Sequence, residues 1–117
     1  MSDLSFIEKF RLEKLFGMGS GYVLDFSNRT FQEFVSDSVQ RDIYGGKYDY
    51  ASCSKANLLR RFWEIEPNHV VGKLVSDLVD IADEGGQDIG GARLIGQCRR
   101  IAERLRQGAP IEELSAI

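Results

Sequence analysis

From residue 71 onward the apolar side chains Val71, Leu74, Val75, Leu78, Ile81 and Ala82 recur at i, i+3, i+4, i+7, i+10 and i+11. That spacing matches a 3.6-residue turn and puts all six on one face, so the stretch is a helix that needs a packing partner. Other blocks carry the same period. Residues 4–18 hold Phe6, Ile7, Phe10, Leu12, Leu15 and Phe16, mostly at helical spacing, with Glu8, Lys9, Glu13 and Lys14 between them. A second helix runs from Ser27 or Asn28 to about Gln40, with Phe31, Phe34, Val35 and Val39 as its inner face. A third, over residues 55–65, turns Leu58, Leu59, Phe62 and Trp63 inward, and Trp63 is expected in the core because it shares a face with Leu59. A last one covers residues 92–107 with Leu94, Cys98, Ile101 and Leu105. A helix cannot bury an apolar stripe alone. The expected fold is therefore all-α, a compact bundle of about five helices, with at most short extended pieces near 22–26 and 43–50.

The boundaries are well marked. Ser5 and Glu8 have capping-box spacing, as do Thr30 and Glu33. Gly17 and Gly19 suit the end of the first helix, because glycine accepts the left-handed conformation common just past a helix end. Ser54 is placed to cap the third helix, Pro67 ends it, and Asn68 is placed to cap the fourth. DEGGQDIGG is a polar connection. In the closing APIEELSAI, Pro110 is suited to start one more turn.

With 117 residues the chain fits one domain with a single modest core. A formal charge of −3 gives no global basic field to attract nucleic acid or an anionic membrane. No apolar run approaches the roughly 20 residues of a membrane helix. MSDLSFIEKF lacks the apolar core of a signal peptide, so Cys53 and Cys98 read as free thiols and the expected address is cytoplasmic.

Several apparent chemical motifs do not survive inspection. Gly17-x-Gly19-x-Gly21 resembles a phosphate cradle, but a helix precedes it where a dinucleotide fingerprint needs a strand. The glycines are read instead as a corner. Asp25, Ser27 and Arg29 alternate like a calcium loop, yet Arg29 is a cation at a ligand position and Ser36 stands where a glutamate is required. Asn28-Arg29-Thr30 is formally a glycosylation sequon, without meaning at a cytoplasmic address. His69 is the single histidine, and with Cys53 and Cys98 it does not make zinc-ligand spacing. Asp77, Asp80, Asp83, Glu84 and Asp88 are read as a solvated helix end rather than a cation site. No catalytic residue, cofactor or metal is expected, and the chain is not expected to be an enzyme.

Two surfaces remain as candidates. The irregular stretch RDIYGGKYDYASCS presents Tyr44, Tyr48 and Tyr50; these, with Arg100, are the expected interface positions, because tyrosine and arginine commonly anchor interfaces. The helix over 92–107 holds five arginines against one acid, Glu103. Arg93, Arg100 and Arg104 fall on one line opposite the apolar stripe, with Arg99 on another flank. Arg93, Arg99, Arg100 and Arg104 are therefore the candidate nucleic-acid contacts. The competing reading, a solvated face partly paired with the acids before it, is favoured because nucleic-acid-binding domains are usually basic overall.

GYVLDFSNRTFQEF, DIYGGKY, SKANLLRRFWEIEPNHVVGKL and CRRIAERLRQGAPIEELSAI together resemble the N-terminal region of bacterial proteins that end in an abortive-infection C-terminal domain. The resemblance runs over most of the chain but carries no catalytic signature. It implies a helical module preceding a second, HEPN-like helical domain, in proteins associated with defence against phage. HEPN-type ribonucleases use an arginine followed four to six residues later by histidine. His69 follows Arg61 by eight positions, so that motif is missing. The resemblance thus implies a non-catalytic interaction or sensing module, the first part of a longer protein. Its expected partner is another protein or its own C-terminal domain, with self-association and nucleic acid as alternatives and no membrane.

Overall fold

The computed structural model describes residues 2–49, 54–84 and 91–107. Five helices follow one another: α1 (Phe6–Phe16), α2 (Asn28–Val39), α3 (Lys55–Ile65), α4 (Asn68–Glu84) and α5 (Gly91–Gln107), with a 3₁₀ turn at Met18–Ser20 after α1. No strand occurs among the described residues, so the all-α bundle is observed. Within residues 22–26, where at most a short extended piece was expected, no strand forms and residues 24–25 make a turn. Leu24 takes a left-handed φ of 49°, its N–H donating back to the Phe16 carbonyl at 2.8 Å.

The caps explain most of the boundaries. Ser5 Oγ accepts from Glu8 N at 3.2 Å while Glu8 Oε1 accepts from Ser5 N at 2.9 Å, the expected capping box of α1. Gly17, at φ 65°, closes α1 by donating to the Glu13 and Lys14 carbonyls. Gly19 instead lies inside the 3₁₀ turn. Ser27, not Asn28, caps α2, and Thr30 completes that box in place of the Thr30–Glu33 pair. Ser54 Oγ accepts from Asn57 N at 3.2 Å and caps α3 as expected. Asn68 departs from expectation: it is the first residue of α4, and its Oδ1 accepts from Asp3 N at 2.8 Å. That side chain ties down the segment before α1.

Trp63 is 1% exposed and packs in the core with Phe16, Phe31, Phe62 and Leu59, as expected. Its indole Nε1 has no hydrogen-bond partner among the described residues. The most extensive pairing among the described helices is α4 with α5. They run antiparallel, with Gly72 beside Leu105 and Arg106 at one end and Asp80 and Asp83 beside Arg99 at the other. α1 packs against α5, and α2 contacts α4. No helix among the described residues is long and apolar enough to cross a membrane.

One expected core face is corrected. Leu12, Leu15 and Phe16 of α1 are buried, but Phe6, Ile7 and Phe10 are 84%, 59% and 61% exposed. The apolar residues of this helix lie on two sides, and at 100° per residue Phe6 and Phe10 point away from Leu12 and Leu15. Only one side meets the core.

Gly72 decides how closely α4 and α5 approach. A Cβ there would lie 2.8 Å from Arg106 Cγ, 2.9 Å from Leu105 Cβ and 3.0 Å from Arg106 N. Two of these atoms belong to the helix itself and cannot swing aside. Gly72→Val is expected to destabilise by about 1–3 kcal/mol through overpacking. A urea titration showing unchanged stability would refute the close contact.

Candidate interaction surfaces

Among the described tyrosines of the 41–54 segment, Tyr48 turns inward. Tyr48 is 1% exposed, packs against Phe62 with ring centroids 5.2 Å apart and planes tilted by 44°, and donates its hydroxyl to Glu66 Oε2 at 2.6 Å. It is a core residue, which corrects its place among the interface positions. The reason is Glu66, itself 3% exposed where α3 ends. A buried carboxylate must be matched by donors and cations. Lys47 Nζ supplies one contact at 2.8 Å, and Arg41 Nε approaches the other oxygen at 3.4 Å. Burial raises the Glu66 pKa, but hydrogen bonds from Lys47 and Tyr48 and the charges of Lys47 and Arg41 outweigh it, leaving a net lowering. Burial first, then the bond to Glu66, raises the Tyr48 hydroxyl.

Tyr44 is half-buried, edge-on to Phe31 at 6.4 Å, with its hydroxyl donating to Asn28 Oδ1 at 3.1 Å. Tyr50 lies outside the described residues. The same Asn28 oxygen accepts from Lys55 Nζ at 3.2 Å, and that ammonium sits 4.7 Å from the centroid of the Tyr22 ring. The start of α2, the start of α3 and the glycine turn therefore meet at one place. Gly21, at φ 89°, accepts from Ala56 N at 3.0 Å and lies beside Ser54. The glycines of the 17–21 stretch serve the chain's path around this corner.

On α5 the arginines divide into two kinds. Arg99 donates to Asp80 Oδ1 at 2.7 Å and Asp83 Oδ2 at 3.0 Å, fastening α5 to α4. Arg104 holds Glu8 with two bonds, at 2.7 and 2.9 Å, and reaches Asp3 at 3.0 Å, fastening α5 to α1. The hydrogen bond from Arg104 lowers the Asp3 pKa. For Glu8, burial raises it, and the Arg104 bond with other donors gives a net lowering. Two of the four candidate nucleic-acid contacts thus carry ion pairs within the chain. Arg93 and Arg100 are exposed and have no ion pair among the described residues. Arg100 lines a shallow depression between α1 and α5 with Arg11, Gln97 and Arg104.

The other chemistry-bearing groups are dispersed. Asp77 accepts from Ser38 Oγ at 2.6 Å and pairs with Lys73. His69 is half-buried in the first turn of α4. Cys98 is buried with its Sγ 3.7 Å from the Arg11 carbonyl, and burial pushes its thiol up to about 11. Cys53 and Asp88 lie outside the described residues. No cluster of three or more histidine, cysteine or acidic side chains suited to a metal occurs among the described residues.

The surface that sequence reasoning missed is the outer side of α1. Phe6, Ile7 and Phe10 stand in solvent, flanked by Lys9 and Lys14, while Glu8 and Glu13 are drawn aside by Arg104 and Arg60. The available signal was the excess of apolar positions on α1, more than one face can bury. No family model, no curated protein and no solved structure matches this chain.

The Glu66 site predicts a pH response. A carboxylate whose pKa is lowered by folding stabilises the fold above its ordinary value of 4.5, and that stability is lost as pH falls through the lowered value. Glu66→Gln is expected to cost about 1.5–3 kcal/mol near neutral pH and to flatten the acid limb of the stability profile. Denaturant titrations of both proteins from pH 7 to about 3 test this. Parallel profiles would show that Glu66 does not carry the response.

Proposed function

We propose that this chain is a non-catalytic helical interaction and sensing module, of the kind that opens bacterial abortive-infection proteins active in phage defence. Its contact surface is the outer side of α1. The observation that carries this reading is the exposure of Phe6, Ile7 and Phe10 together on one side of α1. Large apolar side chains grouped on one helix face mark a protein contact more often than a solvated surface. Aromatic anchors supply most of the energy in such contacts. Burying each of the three favours association by about 1.5–3 kcal/mol. A protein, either another chain or a domain following in the same polypeptide, fits that chemistry.

Nucleic-acid binding is the second reading, and Arg100 supports it by facing the same depression as Arg11. Arg99 and Arg104 would have to abandon Asp80, Asp83, Asp3 and Glu8 to contribute. Of the four candidate contacts, only Arg93 and Arg100 have no ion pair among the described residues, and these two are expected to contribute a slope of log affinity against log salt of about −2.

The double variant Phe6→Asp/Phe10→Asp is expected to keep its circular dichroism and thermal midpoint, because neither ring is buried. It should lose the partners captured by the wild type from a phage-exposed bacterial lysate. Identical partner sets would defeat the proposal. Size-exclusion chromatography with short RNA and DNA, at low and high salt, separates the alternative: a complex that forms at low salt, dissolves at high salt and ignores the α1 variant would establish it.

A further inference from the structure

We propose that the depression between α1 and α5 binds a phosphoryl group, free or at the end of a small phosphate ester, held between Arg11 and Arg100. The inference goes beyond the contact surface on α1, because the site lies where α1 meets α5 and uses neither Phe6 nor Phe10.

Two contacts set the helices against each other here. Arg104 is bonded to Glu8, and the Cys98 thiol donates to the Arg11 carbonyl at 3.7 Å, so α1 and α5 run antiparallel. Gln97, Arg100, Ile101 and Arg104 fall at i, i+3, i+4 and i+7, on one face of α5, while Glu8 and Arg11 are three residues apart on α1. These six side chains line a depression of about 240 Å³. Ile101 is buried and gives it an apolar wall.

Charge distinguishes this place from the rest of α5. Arg99 meets Asp80 and Asp83, and Arg104 meets Glu8 and Asp3. Arg100 instead shares its depression with a second guanidinium, that of Arg11, and neither has an ion pair among the described residues. The lining sets three arginines against one glutamate, and that glutamate is engaged by Arg104. Like charges converging beside an apolar wall raise the local potential and favour an anion between them.

The number of donors indicates which anion. Arg104 alone satisfies the Glu8 carboxylate with two bonds, the fork that one guanidinium makes with one carboxylate. Two further guanidiniums, one from each helix, match a group of about twice that charge with three terminal oxygens, which is a phosphoryl group. The Gln97 carboxamide adds a neutral donor on the same face. A volume of about 240 Å³ is below the roughly 300 Å³ of pockets that enclose a whole drug-sized ligand, so the phosphoryl group enters and the remainder of an ester stays outside. A polymer fits less well: a row of phosphates extended past Arg104 meets the carboxylates of Glu8 and Asp3.

Nitrogen-15 spectra of the arginine Nε–Hε groups test the proposal. The complete 117-residue chain is titrated with inorganic phosphate, phenyl phosphate or an unphosphorylated oligonucleotide at fixed ionic strength, so that screening stays constant. Both phosphates are expected to shift Arg11 and Arg100 and to leave Arg93 in place. Equal affinity for the two makes free phosphate the ligand, tighter binding of phenyl phosphate makes it an ester, and either supports the site. The second ionisation of a phosphate ester lies near pH 6, so affinity for phenyl phosphate should fall about fourfold from pH 7.5 to pH 5.5 as the dianion is lost. Arg11→Gln and Arg100→Gln, each checked by circular dichroism, should weaken binding by about tenfold or more, and Arg93→Gln by less than about twofold. Wild-type Arg11 and Arg100 resonances unmoved by either phosphate would overturn the proposal. So would Arg11→Gln and Arg100→Gln proteins that bind phosphate as the wild type does. An oligonucleotide that shifts Arg93 and Arg100 together, where the phosphates shift neither, assigns the surface to nucleic acid instead.

Discussion

The buried carboxylate of Glu66 organises the least regular part of this protein. It sits where α3 stops, its own N–H still bonded to the Phe62 carbonyl, and it gathers Arg41, Lys47 and Tyr48 from a segment without helix of its own. A charge in that position is costly unless every lone pair finds a donor. The three partners meet that demand and, in doing so, draw residues 41–48 over the open side of α2 and α3. Tyr48 then lands on Phe62, and Ile43 is fully buried. A polar requirement at one atom pair places an apolar lid.

Arginine has a comparable part on the opposite side. Arg99 spans α5 and α4, Arg104 spans α5 and α1, and Arg60 joins α3 to Glu13 of α1. Exposed pairs of this kind add little stability singly. Their consequence here is geometric: they set which side of α1 faces its neighbours. Gly72 acts in the same direction by letting α5 come close to α4.

These internal ties also shape the functional surface. The arginines that made α5 look like a phosphate-binding helix are in part turned to other helices of the bundle. The tyrosines that looked like contact anchors include one, Tyr48, committed to the core. What stays open is an apolar side of α1 bordered by lysines, a character closer to a protein contact than to a phosphate groove. The proposal on interaction follows from that redistribution.

Helical period, capping residues and glycine breaks made the five helices and most of their ends legible in the chain itself. These signals are local, acting over three or four residues. Ser5 with Glu8, Gly17, Ser54 and the Val71–Leu78 stripe all behave as their neighbours dictate. The inner face of α1, the partner of Asn68, the burial of Tyr48 and the pairing of Arg99 and Arg104 were not legible. Each depends on residues from 16 to 101 positions away in the chain. Sequence by itself determined where helices form, because a turn of helix is satisfied by its own backbone and near neighbours. Only the tertiary structure decided which of two apolar sides of α1 is buried and which charges remain free, because those choices belong to the groups that packing brings opposite.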